Sequence, residues 1–262
     1  MGLFVRESGP AGAPTLVFLH GAEHSGRSWE PVVAHLPQYR CLLPDLPQHG
    51  ESVREGPFDI GQTASAVADL IRSRVDTGRA HLIGHSLGAQ VGAQLLATAP
   101  EVVDRALLCG AIVNTMPGVW LTRLLLGAFA GMSRSIEIAQ SIQETAQQLA
   151  NPSTWREEAP AEEPLMPAEQ LSEIVVASAG FTLPDGLDKS DSPTLFLTGA
   201  TELPFVHQSA AALRQRMING VDAVVRGMGH NWPLDHPGQF ARTLDSWLSG
   251  TALPARIVVS TS

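Results

Sequence analysis

The chain has 262 residues, of which 44% are hydrophobic, and a formal net charge of −9. An acidic chain without a basic cluster argues against a nucleic-acid or anionic-membrane partner. No apolar run reaches the ~18 residues of a membrane helix, and the amino terminus lacks the charged and apolar regions of a signal peptide. We therefore expect a cytoplasmic protein, in which Cys41 and Cys109 lie in different strands as free thiols.

The first half of the chain alternates predicted strands and helices. Residues 2 to 7 are predicted to form a short edge strand. The next strand, over Thr15 to Leu19, is an uninterrupted apolar run, which is typical of a strand buried on both faces. The pattern then predicts a helix over Trp29 to Leu36, a strand over Tyr39 to Leu43 and a helix over Ile60 to Val75.

A Gly-x-Ser-x-Gly pentapeptide stands at the centre of this pattern. Gly84-His85-Ser86-Leu87-Gly88 follows the apolar run Ala80 to Ile83 and precedes a small-residue helical stretch, Ala89 to Ala99. When a serine stands in a sharp turn between a strand and a helix, side chains two residues before and after it would collide with these elements. Glycine is therefore needed at both of those positions. This context predicts that Ser86 is an exposed nucleophile, followed by a strand over Arg105 to Cys109.

The alternation stops between residues 115 and 192. This segment contains no convincing buried strand and offers helical patterns instead, among them Pro117 to Ala130 and Pro167 to Ala179. We interpret it as a helical cap inserted between two halves of a sheet. Core packing accounts for an apolar stripe on the first of these helices, and the inner face of a cap also lines a pocket. From this stripe we predict substrate contacts at Trp120, Leu124 and Phe129.

The strand and helix pattern resumes near residue 193. It predicts a strand over Pro193 to Leu197, a helix over Ser209 to Met217, a strand over Asp222 to Val225 and a helix over Pro237 to Leu248. The tail from Thr251 to Ser262 is strand-like but has no clear partner in the pattern. Gly227-Met228-Gly229-His230 follows the last of the core strands, so His230 is the best candidate for a base that serves Ser86.

These motifs resemble the α/β-hydrolase superfamily through five landmarks, which are Gly21, Asp45, Ser86, Glu202 and His230. The resemblance implies a mostly parallel central sheet flanked by helices. We assign this core to residues 1–114 and 193–262 and the inserted helical cap to residues 115–192. A serine rather than an aspartate nucleophile argues against haloalkane dehalogenase and epoxide hydrolase chemistry.

The resemblance also implies a catalytic triad of Ser86, His230 and Glu202. Members of the family commonly have aspartate where this chain has Glu202, and glutamate fills the same role in some of them. In this role the carboxylate orients the histidine and stabilises the imidazolium. Other carboxylates remain open as the triad acid, namely Asp185, Asp188, Asp191 and Asp235.

Backbone N–H groups of Ala22 and Leu87 would form the oxyanion hole of such an enzyme, with His20 bracing the loop. Trp232, next to the histidine loop, is a further predicted substrate contact. The segment from Asp45 to Ser52 resembles a family loop in which Gln48 replaces a glycine. Asp45 and His49 also suggest metal or acid–base chemistry, but we expect them to fix this tight loop.

The leading functional hypothesis is a carboxylesterase that acts on small to medium apolar esters through an acyl-enzyme. A C–C hydrolase, thioesterase or lyase acting on an acidic metabolite is an alternative, for which Arg123 and Arg134 offer carboxylate-binding forks. A weakly catalytic ligand receptor is the third hypothesis. No cluster of histidines, cysteines or carboxylates has a zinc-type spacing, so we predict no metal. We predict no cofactor either. The partner is a small-molecule substrate, and the sequence leaves the oligomeric state open.

Overall fold

The computed structural model describes residues 2–113 and 167–260. These residues form one sheet of eight strands in the order β1-β3-β2-β4-β5-β6-β7-β8. The two outermost strands are antiparallel to their neighbours, and the strands between them are parallel. The strands are β1 (Val5–Ser8), β2 (Thr15–Leu19), β3 (Arg40–Pro44), β4 (Ala80–His85), β5 (Val103–Cys109), β6 (Thr194–Gly199), β7 (Gly220–Val225) and β8 (Ile257–Val259).

Helices connect these strands and cover the sheet. The α-helices of the described residues are α1 (Glu30–Val33), α2 (Ile60–Arg74), α3 (Leu87–Thr98), α4 (Ala168–Ala179), α5 (Pro204–Arg216), α6 (Trp232–Asp235) and α7 (Pro237–Ser249). The mostly parallel sheet with flanking helices is the fold predicted from the sequence. Among the described residues, no helix has the length and apolar character needed to cross a membrane.

The alternation of side chains along the strands divides the core into two apolar layers. In β2, Val17 and Leu19 belong to one layer, which also contains the buried faces of α2 and α3. Leu16 and Phe18 belong to the other layer, with Trp29 and the buried face of α7. Successive side chains of a strand point to opposite faces, so a strand covered on both faces must be apolar throughout. This explains why β2 is an uninterrupted apolar run.

Three predictions about element bounds are corrected by the structure. The helix predicted over Trp29 to Leu36 is a 3₁₀ turn, Gly26–Trp29, followed by the single turn α1. Helix α5 begins at Pro204 rather than at Ser209, because proline is well suited to a first helical turn. The tail does have a partner, since β8 pairs with β7 in antiparallel register, with Val224 opposite Val258.

Helix α4 lies inside the segment predicted as a cap, and its extent agrees with the predicted helix over Pro167 to Ala179. Its Ile174 is fully buried in the layer that contains α2 and α3. The other predicted cap helices and both cap arginines lie outside the described residues, so the cap boundaries remain a prediction. Cys41 and Cys109 are free and buried, as expected, and burial raises the pKa of the Cys41 thiol to about 12.

Candidate active site

Ser86 occupies a strained turn between β4 and α3. Its φ of 54° and ψ of −114° lie outside the regions that L-residues normally adopt. The turn is tight enough that a Cβ at Gly84 would lie 2.6 Å from the carbonyl oxygen of Gly88. A Cβ at Gly88 would lie 2.2 Å from the carbonyl oxygen of Leu19 in β2. Both glycines of the pentapeptide are therefore required by close backbone contacts.

His230 and Glu202 form a close pair at the ends of two neighbouring strands. The distance from His230 Nδ1 to Glu202 Oε1 is 2.5 Å, and Glu202 Oε2 accepts a hydrogen bond from the Gly199 N–H at 2.6 Å. Because an ionised carboxylate can only accept, Nδ1 carries the hydrogen, and Nε2 of the neutral ring is left as the proton acceptor. The Glu202 side chain is buried, at 3% exposed, whereas the His230 side chain is 37% exposed and is therefore partly accessible to solvent.

The end of β5 lies between this pair and the turn of Ser86. The Ser86 N–H donates to the carbonyl oxygen of Cys109 at 2.9 Å. The following residue, Gly110, has a φ of 66°, and a Cβ there would lie 2.7 Å from Cε1 of His230. One short segment therefore contacts both the nucleophile candidate and the base candidate. Glu202 is the candidate acid that this geometry favours.

The other candidate acids lie in different surroundings. Asp185 lines a surface pocket with Asp59 and Gln94. Asp188 belongs to the 3₁₀ turn Leu187–Lys189, and the main chain of Asp191 accepts a hydrogen bond from Asn219. Asp235 ends α6.

His85 joins the turn of Ser86 to the loop of His230. Its Nε2 lies 3.0 Å from the main-chain oxygen of His230, and the two rings are 4.9 Å apart between centroids. A carbonyl can only accept, so the hydrogen is on Nε2, and Nδ1 has no hydrogen-bond partner among the described residues. Burial lowers the pKa of His85 to about 3, so the ring is neutral near pH 7. Sequence reasoning missed this role.

The predicted oxyanion loop passes directly beside Ser86, since a Cβ at Gly21 would lie 3.6 Å from that of Ser86. The Leu46 N–H donates to His20 Nε2 at 2.9 Å, which leaves the ring hydrogen on Nδ1. Nδ1 in turn donates to the Gly21 carbonyl at 2.8 Å, and burial lowers the pKa of His20 well below its usual range. This carbonyl belongs to the same peptide group as the Ala22 N–H, so His20 orients that N–H.

Asp45 fixes the loop that follows β3, as the sequence predicts. Its fully buried carboxylate accepts hydrogen bonds from the Gly26 N–H at 2.7 Å and the Glu51 N–H at 2.8 Å. Arg6 also contacts it, at 2.8 Å. His49 is buried in the same loop, between the carbonyl oxygens of Pro47 and Ala22. These contacts give both residues a role in loop structure.

The predicted substrate contacts are not assembled into a described pocket. Trp120, Leu124 and Phe129 lie outside the described residues. Trp232 is 2% exposed, and its indole N–H contacts Cys109 Sγ at 3.2 Å. We therefore leave it out of the proposed site and assign it to core packing. Within residues 2–113 and 167–260, no three His, Cys, Asp or Glu side chains are grouped to hold a metal ion.

Comparison with known sequences identifies a match over most of the chain. The sequence model described as "Alpha/beta hydrolase family" matches residues 16–243. Lipase LipV of Mycobacterium tuberculosis is 35% identical over 106 residues, which are 40% of this chain and 40% of that protein. An AB hydrolase superfamily protein of Gibberella zeae is 33% identical over 115 residues, which are 43% of this chain and 40% of that protein. The matched part of this chain therefore spans less than half the length of either relative.

Solved structures resemble the chain over nearly its whole length. The enol-lactonase from Burkholderia xenovorans LB400 has a TM-score of 0.73 at 21% identity, covering 94% of this chain and 96% of that chain. A thermophilic esterase from Thermogutta terrifontis has a TM-score of 0.71 at 20% identity, covering 95% of this chain and 93% of that chain. At these identities the likeness establishes the fold.

Proposed function

Because this chain belongs to the alpha/beta hydrolase family, we propose that it is a serine hydrolase that cleaves carboxylic esters through an acyl-enzyme intermediate. The observation that carries the proposal is the arrangement around β5. Ser86 sits in a strained turn hydrogen-bonded to Cys109, and Gly110 leaves room for the His230–Glu202 pair. A nucleophile beside a base that is oriented by a third group is the arrangement of nucleophilic catalysis.

In the proposed acylation step, Ser86 Oγ attacks the ester carbonyl carbon while His230 Nε2 takes the hydroxyl proton. Glu202 stabilises the imidazolium that forms, through its 2.5 Å contact with Nδ1. His230 then gives the proton to the leaving alcohol oxygen as the carbon–oxygen bond breaks. Water, activated by the same ring, attacks the acyl-enzyme and releases the acid.

The oxyanion of the tetrahedral intermediate is held by the N–H groups of Ala22 and Leu87. Leu87 begins α3, a helix of 12 residues, so the positive end of the helix dipole adds to its N–H. Ala22 follows Gly21, whose peptide group is oriented by His20. A donor of this kind typically contributes ~3 kcal/mol to transition-state stabilisation.

Two observations support a substrate class. Three of the similar proteins are named a lipase, an esterase and an enol-lactonase, names that describe cleavage of an acyl–oxygen bond. The sequence around Trp120, Leu124 and Phe129 is strongly apolar. We therefore propose small to medium apolar esters as substrates.

The test is hydrolysis of p-nitrophenyl esters of increasing acyl length by the wild type and by Ser86→Ala. We expect wild-type turnover with a chain-length optimum, and a loss of about 10⁴-fold or more in kcat in the variant. Ser65→Ala, at an exposed position of α2, is the matched serine control and should retain wild-type activity. Glu202→Gln should lose about 10³-fold or more because the carboxylate charge is gone.

Two results would overturn the proposal. A wild type that cleaves none of the esters above the spontaneous rate would direct attention to C–C, thioester or lyase substrates. Equal turnover by Ser86→Ala and the wild type would remove serine as the nucleophile.

A further inference from the structure

We propose that His49 is a positioning residue for the oxyanion hole, which it orients by holding the main-chain carbonyl of Ala22. The inference rests on the proposed function, because it assigns Ala22 as an oxyanion donor. It adds a residue that the triad and the oxyanion donors do not include.

His49 contacts the oxyanion loop directly. Its Nε2 lies 2.9 Å from the Ala22 carbonyl oxygen, and its Nδ1 lies 2.8 Å from the Pro47 carbonyl oxygen. The residue is 1% exposed. Its ring lies 4.8 Å from that of His20 and 6.0 Å from that of Phe58, between centroids. The ring is therefore enclosed beside Ala22.

Ala22 is consequently held on both sides. His20 donates to the carbonyl of the preceding peptide group, which carries the Ala22 N–H. In the proposed tautomer the hydrogen of the His49 ring is on Nε2, which donates to the carbonyl of the following peptide group. The orientations of these two peptide planes determine φ and ψ of Ala22. With both planes fixed, the direction of the Ala22 N–H is fixed before a substrate arrives, which is what a preorganised oxyanion donor requires.

Gln48 fixes the loop that carries His49, at a position where the family loop has glycine. Its φ is 65°, and its N–H lies within hydrogen-bonding distance of the carbonyls of Ser52 and Glu55. Its Oε1 accepts from the Phe58 N–H at 3.0 Å, and the Phe58 ring packs edge-on against His49. A Cβ at Gly56 would lie 2.9 Å from Gln48 Cγ, so the loop leaves room for this side chain. The positive φ of Gln48 is thus held by several contacts within the loop.

The two contacts of His49 can be separated by substitution. Both partners are carbonyls, which only accept, and burial lowers the pKa of His49, so the neutral ring has one hydrogen and donates to only one of them. The side-chain amide nitrogen of glutamine stands where Nε2 stands, and that of asparagine stands where Nδ1 stands. His49→Gln therefore keeps a donor for Ala22, whereas His49→Asn keeps one only for Pro47.

The experiment compares kcat and KM for a p-nitrophenyl ester in the wild type, His49→Gln and His49→Asn. It also measures inhibition by an alkyl trifluoromethyl ketone, which forms a tetrahedral oxyanion adduct with a catalytic serine. We expect His49→Asn to lose about 10- to 100-fold in kcat with KM within about twofold, and the inhibition constant to rise in parallel. His49→Gln should stay within about threefold of the wild type.

Equal losses in both variants, or losses confined to KM and thermal stability, would overturn the role at Ala22 while leaving the hydrolase proposal intact. A wild type that neither turns over esters nor binds the ketone would overturn both. If neither variant folds, Gln48→Gly replaces them, because glycine adopts the observed φ without strain. It should lower kcat several-fold at unchanged KM, and an unchanged kcat would contradict the inference.

Discussion

Gly110 is the position at which the proposed site most directly requires a glycine. A Cβ there would lie 2.7 Å from His230 Cε1 and 3.3 Å from Glu202 Oε1. Its φ of 66° would also strain any other residue. The proposed base and acid therefore contact a backbone position where any residue other than glycine would collide with them.

We predict that Gly110→Ala displaces the His230 ring and lowers kcat by about 10²-fold, since small misplacements of catalytic groups have costs of this size. The strained φ should reduce the free energy of unfolding by roughly 1 kcal/mol or more. Steady-state kinetics on the best p-nitrophenyl ester and urea unfolding measure the two effects.

Gly78→Ala is the matched control for this substitution. Gly78 has a φ of 67°, but a Cβ there would meet nothing within 4 Å. The control should show the stability cost without the loss of kcat. Equal kinetic effects at the two positions would mean that Gly110 acts through backbone strain and not through His230.

At the scale of elements, the position of α3 against β2 determines where Ser86 points. Gly88, in the first turn of α3, lets the helix approach the backbone of β2, and a Cβ there would lie 2.2 Å from the Leu19 carbonyl oxygen. Backbone atoms cannot move aside as the end of a flexible side chain can. The helix therefore makes one tight contact at the end of β2, just before the loop that contains the proposed oxyanion donor Ala22.

We predict that Gly88→Ala lowers the free energy of unfolding by about 3 kcal/mol, because it overpacks a backbone contact, and that the residual folded enzyme loses most activity. Gly61→Ala in the first turn of α2, where a Cβ would lie 3.3 Å from the Asp59 carboxylate, should change stability by less than about 1 kcal/mol. Chemical unfolding of both variants checks this, and a Gly88→Ala protein as stable as Gly61→Ala would contradict it.

Most elements of the described core were predictable because their signals are local. Buried parallel strands such as β2 are apolar throughout, and α2 shows a clear helical period after its Asp59 cap. Two predictions failed where local patterns carry too little information. Pairing of β8 with β7 depends on a distant sheet edge, and a short 3₁₀ turn before α1 is hard to distinguish from a longer helix.

At the scale of the whole molecule, buried histidines make the free energy of unfolding depend on pH. His85 titrates in the folded state at a pKa of about 3, below its ordinary value near 6.5. The unfolded chain therefore binds more protons between these two values, so stability is complete above pH 6.5 and falls as the pH decreases. Burial lowers the pKa of other histidines in the same direction, namely His20, His49 and His81.

We predict that the free energy of unfolding falls between pH 8 and pH 5, with about 2 kcal/mol of the loss due to His85. His85→Gln does not titrate but keeps a donor for the His230 carbonyl, so its loss over the same range should be smaller by that amount. Urea unfolding at the two pH values measures this. Parallel pH profiles for the two proteins would contradict the assignment.

The candidate site could be proposed from the sequence only where its residues stand in a distinctive motif. Ser86, Glu202 and His230 follow strand ends in motifs, and the role of Asp45 in its loop was also predicted. Gly110 and His85 each contact the loop of His230, which is distant in sequence. Gly110 follows β5 and lies against the His230 ring, and His85 ends β4 and contacts the His230 carbonyl. A glycine after a strand or a histidine beside a serine carries no local signal of such contacts, so neither role was predicted.

The central claim is that Ser86 is the activated nucleophile, and covalent labelling tests it most directly. The wild type and Ser86→Ala are treated with a fluorophosphonate, and peptide mass spectrometry locates the adduct. We predict one stoichiometric adduct on Ser86, none in Ser86→Ala, and strongly slowed labelling in His230→Ala because the base is missing. Labelling at another residue, or no labelling of the wild type, would contradict the claim.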